Sequence, residues 1–297
     1  MWNKLAAWWN ETVRDRPHAP GRLIDSYRID KVLGMGSYGI AYLATDLTDR
    51  QQVVLKQVKP SLRRSPKGEA MQAYEQKVLA TLSHPQIPRW LKSFPYRGDS
   101  FLVMTFIEGP TLEEALFDQR ITMDERSAAC LMQKIAEIVA HLHEHQLIHR
   151  DVRIPNVIWH DDQPYLIDFG LARFIGDSPT YSAEALSAYS SEKQLKREVA
   201  PSSDLFALGH FFLFLLYSGY TSKEEKSERS WEEELSLSPA IRQMIRRLLQ
   251  LDAPYPSVCA FLDDLKRYLR ESADSNPASP LCSGEHTQSR KDPVDEA

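Results

Sequence analysis

The sequence is poor in cysteine and has no excess of positive charge. Its three cysteines, Cys130, Cys259 and Cys282, are far apart in the 297 residues and form no C-x-x-C pair. They therefore predict no disulfide framework and fit a reducing cytoplasm best. The 36 Lys and Arg residues against 41 Asp and Glu residues give a net charge of −5. Because no positive field extends over the whole molecule, the sequence predicts no nucleic-acid partner.

Long hydrophobic runs are also lacking. The longest run, Leu205 to Tyr217, is too short to span a bilayer and contains His210. The N-terminus lacks the basic start and apolar stretch of a signal peptide. We therefore predict a cytoplasmic protein without a transmembrane segment, in which residues 205–217 form a buried core helix.

What is present is the composition of a globular protein, with 42% hydrophobic and 26% charged residues. From Tyr27 to Lys59, short β-branched and aromatic runs alternate with turn residues, which predicts antiparallel strands. After Gly109, apolar residues recur at helical spacing, and Thr122 to Glu125 has the pattern of a capping box. The fold class predicted is α+β, with a small sheet first and a mainly helical part second.

The chain divides into four segments. Residues 1–22 hold three of the six tryptophans and a Pro- and Gly-bearing stretch that is typical of a linker. Residues 23–104 form the predicted sheet lobe, with one main helix that opens at Ser65 and Pro66, and residues 105–271 form the helical lobe. Residues 272–297 contain too little apolar matter to offset the entropy of ordering them, which predicts disorder.

A glycine-rich loop, with Gly34, Gly36 and Gly39, lies between two predicted strands. Glycines at these positions let a backbone hairpin approach phosphate groups without Cβ clashes. A dinucleotide-binding fold would continue from such a loop into a helix. Here another strand follows and then the apolar run that ends at Lys56, so the dinucleotide interpretation is disfavoured.

Charged residues follow in an informative order. Lys56 ends an apolar strand, where its cation needs an acidic partner to stay ionised, and Glu75 on the next predicted helix is the candidate. The sequence His149-Arg150-Asp151 comes later, followed by Asn156 and then by Asp168-Phe169-Gly170. The order and close spacing of these motifs point to one combined site.

This set of motifs resembles the signature of eukaryotic-like (Hanks-type) protein kinases, and in particular bacterial Ser/Thr protein kinases. The resemblance covers most of the chain and implies a bilobal fold with ATP between the lobes. It implies that Lys56 contacts the α- and β-phosphates and pairs with Glu75, while Asp168 and Asn156 hold Mg²⁺, or alternatively Mn²⁺. Asp151 would orient the hydroxyl of a protein substrate and accept its proton.

The resemblance also implies a nucleotide pocket. Met104 takes the gatekeeper position, residues 105–107 the hinge beside adenine, and Ile158 the pocket floor. Ala41 and Val54 exchange the valine and alanine usual for the family, which conserves volume above the adenine. The residues expected to contact ATP are Gly34, Met35, Gly36, Ser37, Gly39, Ala41, Val54, Lys56, Met104, Thr105, Ile107, Ile158 and Asp168.

Two features of the sequence depart from the family pattern. Arg153 replaces the lysine usual two residues after the catalytic aspartate, and we expect it to support the transferred group, with a planar fork in place of a point charge. Ser190, Ser191 and Glu192 replace the usual Ala-Pro-Glu, and Tyr255 replaces the arginine that pairs with this glutamate. A hydrogen bond from Tyr255 to Glu192 is the predicted substitute.

Arg150 before Asp151 is typical of kinases in which a phosphate on the activation segment is bound by this arginine. The chain offers Ser178, Thr180, Tyr181, Ser182 and Ser187, of which Thr180 is favoured. We therefore expect the enzyme to phosphorylate itself as well as other proteins.

Three other functions stay open at this point. A pseudokinase or ATP-binding scaffold would keep these residues without turnover. A small-molecule kinase is disfavoured by Arg150 and by the long segment 168–192. A tyrosine kinase would carry arginine where this chain has Pro155, so Ser/Thr acceptors are favoured.

Two remaining features of the sequence are interpreted as structural. His141, His143 and His145 lack a third acidic or cysteine ligand nearby in sequence, so we assign them to a solvated helix face and not to a metal site. The N-terminal residues Trp2, Leu5, Trp9 and Val13 fall on one side of a short predicted helix. We expect this helix to pack on the folded body, with contact to a partner or membrane surface as the alternative.

Overall fold

The computed structural model describes residues 15–36, 38–63, 66–177, 195, 198–220 and 229–273. Several predictions therefore fall outside the described residues. They concern Ser37, Ser65, the N-terminal tryptophans, the phosphorylation candidates from Ser178 to Ser187, Glu192 and most of the predicted tail.

A six-stranded antiparallel sheet forms the N-terminal half, in the order β1-β2-β3-β4-β6-β5. Its strands are β1 Leu23–Ile24, β2 Tyr27–Met35, β3 Gly39–Asp46, β4 Gln52–Val58, β5 Trp90–Tyr96 and β6 Asp99–Thr105. Side chains alternate between the two faces of a strand, so Ile40, Tyr42 and Leu55 pack in a cluster on one face. Ala41 and Lys56, which are partners across β3 and β4, lie on the other face.

Four short strands follow in two antiparallel pairs. The strands are β7 Leu147–Ile148, β8 Val157–His160, β9 Gln163–Leu166 and β10 Arg173–Phe174. Strand β8 pairs with β9, and β10 pairs with β7. These pairings bring the chain segments around Asp151 and Asp168 next to each other.

Helices dominate the C-terminal half, as predicted. The helices are α1 Pro66–Thr81, α2 Leu112–Phe117, α3 Glu125–Glu144, α4 Pro201–Tyr217, α5 Trp231–Glu234, α6 Pro239–Leu248 and α7 Val258–Ala273. The apolar residues of α3 form its buried face, and α3 packs against α4 and α7. The predicted core helix over residues 205–217 is confirmed within α4, so the α+β fold class is also confirmed.

The predicted capping box at the start of α3 is wrong. Asp124, not Thr122, is the N-cap, because its carboxylate accepts a hydrogen bond from the Ser127 N–H at 2.8 Å. Glu125 instead accepts hydrogen bonds from the Ser238 N–H and the Tyr268 hydroxyl, at 2.7 and 3.2 Å. Glu125, which the sequence pattern assigned to the cap, therefore makes tertiary contacts instead.

The stretch predicted to be a linker packs on the sheet as far back as Asp15. Asp15 is 2% exposed and accepts hydrogen bonds from the Ser61 N–H and hydroxyl, at 2.7 and 2.8 Å. The His18 N–H donates to the Tyr42 hydroxyl at 3.2 Å. Asp15 and His18, on either side of the predicted linker's first residue Pro17, are therefore held on the folded body by contacts that lie outside the reach of local sequence patterns.

The interpretation of the three histidines needs a partial correction. His143 does not face solvent, since its Nε2 lies 3.0 Å from the buried carboxylate of Asp204. His141 packs between His84 and His145, with ring centroids 4.8 and 4.3 Å apart. Within the described residues, no group of three or more His, Cys, Asp or Glu side chains has the arrangement to hold a metal ion.

Over the ranges that the structure describes, none of the helices α1 to α7 combines the length and the apolar content that a membrane span requires.

We predict that Asp15→Asn destabilises the protein by about 1–3 kcal/mol, because an amide cannot accept both hydrogen bonds of the buried carboxylate. Chemical denaturation should measure the loss. The control is Asp25→Asn, since the side chain of Asp25 is 55% exposed and lies 3.9 Å from Lys92. Equal stability of the wild-type protein and Asp15→Asn would show that residues 15–22 are not anchored by this carboxylate.

We predict a pH dependence of stability from the histidine cluster. Burial first, and then a neighbouring histidine, lower the pKa of His84 and of His141. The folded state therefore resists protonation, so the stabilising contribution is complete above about pH 6.5 and is lost as the pH falls below it. Denaturation between about pH 7 and pH 5 should show a smaller loss for His141→Gln than for wild type, with His160→Gln as control. An unchanged pH profile in His141→Gln would contradict this.

Candidate active site

A cluster of three charges lies where the sheet meets the helical half. Lys56 on β4 places its Nζ 2.6 Å from Oε1 of Glu75 on α1 and 3.0 Å from Oδ1 of Asp168. Glu75 is 4% exposed, whereas the Asp168 side chain keeps 47% of its exposure. The predicted Lys56–Glu75 pair is present, and the structure adds Asp168 as a second partner.

The three charged groups of the cluster shift one another's pKa values. Burial opposes the charge on Lys56, but the carboxylates of Glu75 and Asp168 outweigh burial and raise the pKa of Lys56. Lys56 in turn is the main reason that the pKa of Asp168 falls to about 2. Burial raises the pKa of Glu75, and Lys56 works against that rise. The lysine therefore stays a cation and Asp168 a carboxylate at neutral pH.

Backbone geometry sets the position of Asp168. This residue has a φ of 61°, in the left-handed region that is costly for a residue with a Cβ. Its Oδ1 accepts a hydrogen bond from the Gly170 N–H at 3.3 Å. A Cβ on Gly170 would lie 3.2 Å from Asp168 Oδ1 and 3.5 Å from Lys56 Nζ, so glycine keeps this corner of the cluster open.

The loop that carries Asp151 is held from below by Asp204 on α4. The carboxylate of Asp204 is fully buried and accepts hydrogen bonds from the N–H groups of His149 and Arg150, at 2.9 and 2.7 Å. Burial alone would raise the pKa of Asp204, but the contact with His143 and the backbone donors lower it. A permanent anion therefore fixes Arg150, whose φ is 66°.

The same loop also contacts the Asp-Phe-Gly segment. The rings of His149 and Phe169 meet edge to face, with centroids 4.8 Å apart. The guanidinium of Arg150 donates to the carbonyl of Leu171 at 3.2 Å. Both contacts tie the position of Asp151 to that of Asp168, although 17 residues separate the two aspartates in sequence.

Asp151 lies at the surface of the site, and its carboxylate has one hydrogen-bond donor and one ion-pair partner. Asn156 donates through Nδ2 to Asp151 Oδ2 at 2.7 Å, and Arg153 places Nε 3.2 Å from Oδ1. Asn156 also donates to the Asp151 carbonyl at 2.9 Å. The predicted catalytic residues Asp151 and Arg153 are thus in direct contact, and the side chain of Arg153 remains 59% exposed.

The donor set fits a magnesium ion. Asn156 uses its amide nitrogen for Asp151, which leaves its amide oxygen as the ligand atom. Asp168 directs Oδ1 to Lys56 and Gly170, while its Oδ2 takes no hydrogen bond from the described residues. Carboxylate and amide oxygens are the hard ligands that Mg²⁺ and Mn²⁺ prefer.

The predicted nucleotide residues lie mainly on the sheet face that carries Lys56. Ala41 is opposite Lys56 in β3 and β4, and Val54 is opposite Met104 in β4 and β6. A Cβ on Gly34 would meet nothing within 4 Å, so packing inside the protein does not account for glycine there. The remaining predicted contacts are Met35 at the end of β2, Gly36 in the loop, Gly39 at the start of β3, Thr105 and Ile107 at the hinge and Ile158 on β8.

Tyr255, which is predicted to pair with Glu192, has a partner within the described residues. Its hydroxyl donates to Asp264 Oδ2 at 2.7 Å, and the guanidinium of Arg247 lies 3.7 Å from its ring centroid. A phenol has one proton to donate, and the hydrogen bond to Asp264 uses it. Glu192 itself lies outside the described residues.

Tyr74, next to Glu75 on α1, is a residue that the sequence analysis missed. Its hydroxyl donates to Asp177 Oδ2 at 2.5 Å and accepts from the Phe174 N–H at 2.9 Å. Its ring lies 4.3 Å from the guanidinium carbon of Arg173. Tyr74 therefore ties α1 to the strand that follows Asp168, and no local motif signals a contact across 100 residues.

Comparison with known proteins agrees with this site. A model of the protein kinase domain matches residues 27–278. A Bacillus subtilis protein named probable serine/threonine-protein kinase YbdM is 35% identical over 257 residues, which cover 86% of this chain and 94% of that protein. Serine/threonine-protein kinase B of Synechocystis is 28% identical over 272 residues, and the match spans only 47% of its length.

A solved structure has the same fold. The kinase domain of PknI from Mycobacterium tuberculosis superposes with a TM-score of 0.62 at 20% identity. The match covers 85% of this chain and 99% of that domain. At this identity the likeness supports the bilobal fold and carries no conclusion about substrate.

We predict that Tyr74→Phe raises the KM for ATP and lowers kcat/KM by roughly two- to tenfold, because the hydrogen bonds of the hydroxyl to Asp177 and Phe174 are lost. The phenyl ring keeps its packing, but helix α1, which carries Glu75, is no longer hydrogen-bonded through this side chain to residues 174–177. Tyr96→Phe on β5 is the matched control, and steady-state kinetics with varied ATP is the measurement. The same KM in Tyr74→Phe and wild type would show that this hydroxyl does not position Glu75.

Proposed function

The chain belongs to the protein kinase family and is a serine/threonine protein kinase, and from this premise we propose which residues carry the reaction. Lys56, Asp168 and Asn156 hold Mg-ATP, and Asp151 directs the serine or threonine hydroxyl of a protein substrate toward the γ-phosphorus. The observation that carries this proposal is the single cluster in which Lys56 contacts both Glu75 and Asp168.

Lys56 supplies a fixed positive charge for the triphosphate. Its ammonium is held by two carboxylates from different elements, so it cannot turn away from the cleft. Phosphate oxygens carry the charge that develops during phosphoryl transfer, and a prepositioned cation stabilises that charge without further reorganisation. Glu75 acts through Lys56 and is a positioning residue.

Asp168 and Asn156 would hold the divalent cation through a carboxylate oxygen and an amide oxygen. When bound, Mg²⁺ neutralises phosphate charge and orients the terminal phosphoryl group. The residues are prepared for this role, since the pKa of Asp168 is lowered to about 2 and the nitrogen of Asn156 is turned toward Asp151.

Asp151 positions the acceptor. The hydroxyl oxygen of the substrate attacks the γ-phosphorus, the bond to the ADP leaving group breaks, and the hydroxyl proton passes to the Asp151 carboxylate. Asn156 and Arg153 hold that carboxylate from both sides. Arg153 is also the cation next to the acceptor, where we expect it to support the transferred group.

The adenine pocket follows from the sheet face. We assign Ala41 and Val54 to its roof, Ile158 to its floor and Met104 to its back wall. At the hinge the Thr105 N–H already donates to the Arg89 carbonyl at 3.0 Å. The Ile107 N–H has no partner among the described residues, so it is the donor that we propose for adenine. Because ATP is the phosphoryl donor, we place the protein in the cytoplasm.

Two further proposals concern segments outside the described residues. We propose that the enzyme phosphorylates its own activation segment, with Thr180 favoured. We also propose that the N-terminal tryptophans pack on the sheet lobe, because Asp15, which directly follows this segment, is already buried there. Contact with a partner or a membrane surface is the alternative for these tryptophans.

We predict that Asp151→Asn lowers phosphoryl transfer by about 100-fold or more, because the amide cannot accept the hydroxyl proton. Incubation with Mg-[γ-³²P]ATP and a generic protein acceptor, followed by phosphoamino-acid analysis, measures transfer and names the acceptor. Asp161→Asn is the matched control, since the Asp161 side chain is 87% exposed on the β8–β9 turn. Bound Mg-ATP without any labelled product in wild type would favour a pseudokinase scaffold.

A further inference from the structure

A cavity of about 610 Å³ opens beside the catalytic loop, and Lys56, Glu75 and Asp168 are not among the residues that line it. Helix α2, the loop from Arg150 to Pro155 and helix α4 line it. Asp151 and Arg153 form part of its wall, so the cavity is continuous with the position where the acceptor hydroxyl is phosphorylated.

Two phenylalanines expose much of their surface in this cavity. Phe117, the last residue of α2, is 62% exposed, and Phe214 on α4 is 52% exposed. Val152, Ile154 and Phe211 lie beneath them and are buried, so the floor is apolar and closely packed. We define the phenylalanine groove as the cavity lined by these five residues. Exposed aromatic surface in a concave site gains most when another apolar group covers it.

The charged residues that line the groove do not favour a charged side chain of the substrate. Glu113 and Asp151 are its acidic lining residues, and Arg150 and Arg153 are its basic ones. Asp151 is already 3.2 Å from Arg153, and Arg150 donates to the Leu171 carbonyl. Opposite charges in equal number leave no field that favours a strongly basic or acidic substrate side chain.

We propose that the phenylalanine groove binds a large apolar side chain of the protein substrate, such as leucine, close in sequence to the phosphorylated serine or threonine. The inference rests on the proposed role of Asp151. Asp151 and Arg153 line the same cavity as the two phenylalanines, so a side chain a few residues from the bound hydroxyl is within reach of the groove, since an extended chain advances about 3.3–3.6 Å per residue. The groove therefore sets substrate sequence preference, with Phe214 and Phe117 as specificity-determining residues.

The test uses the full chain and a set of peptides with one serine in an otherwise alanine- and lysine-based sequence. A single leucine is placed in turn at each of four positions on either side of the serine, and kcat/KM is compared with that of the leucine-free peptide. We expect leucine at one position to raise kcat/KM by about tenfold or more, as for apolar side chains in other enzyme pockets. Phe214→Ala and Phe117→Ala should each reduce this ratio to less than about threefold.

Leu251→Ala is the matched control, because Leu251 is 53% exposed but lies between α6 and α7, away from the groove. This variant should keep the wild-type ratio. Both peptides are measured with the same preparation, so partial unfolding of a variant cancels in the ratio.

The outcomes separate the two proposals. No transfer to any peptide or protein by wild-type enzyme would overturn the proposed catalytic roles. Transfer without a preference for leucine would overturn the groove proposal alone. So would an equal loss of activity on both peptides in Phe214→Ala, since Phe214 would then serve the fold, or the chain's own segments, and not the substrate.

Discussion

The buried cation of Lys56 is the constraint on which the site depends. An ammonium group removed from water is costly unless carboxylates neutralise it, and removal of one partner from such a pair typically costs about 3–5 kcal/mol. The neutralising groups come from helix α1 and from the segment after β9, through Glu75 and Asp168. Strand, helix and segment must therefore meet at one point, and the cleft for ATP is formed by that meeting.

A buried anion has the corresponding role in the helical half. Asp204 holds the backbone of His149 and Arg150 and receives His143 from α3. The core around α3 and α4 is rigid and apolar, so it can compensate for the left-handed backbone of Arg150 and Asp168, which costs about 1–3 kcal/mol at each residue. The proposed catalytic residue Asp151 and the proposed metal ligand Asp168 lie on loops, but each loop is fixed to a packed element.

The contacts that the sequence interpretation missed join groups that are distant from each other in the chain. Glu125 has the spacing of a capping residue but binds Ser238 and Tyr268. Asp15 lies next to a Pro- and Gly-bearing stretch but is buried against Ser61. His143 looks like part of a solvated series but contacts Asp204. Local patterns describe what a segment prefers alone, and each of these residues is held by a contact that the local pattern does not include.

The sequence alone determined the α+β class and the core helix over residues 205–217, and it predicted Lys56, Glu75, Asp151, Asn156 and Asp168 as the residues of one site. Order and spacing suffice for these, because the chemistry of phosphoryl transfer requires specific residue types at positions that the fold keeps in sequence order. The tertiary structure decided how these side chains are oriented and charged, that Tyr74 ties α1 to residues 174–177, and that Phe117 and Phe214 share one groove. Contacts of this kind depend on packing between elements that are far apart in the chain, which no local pattern encodes.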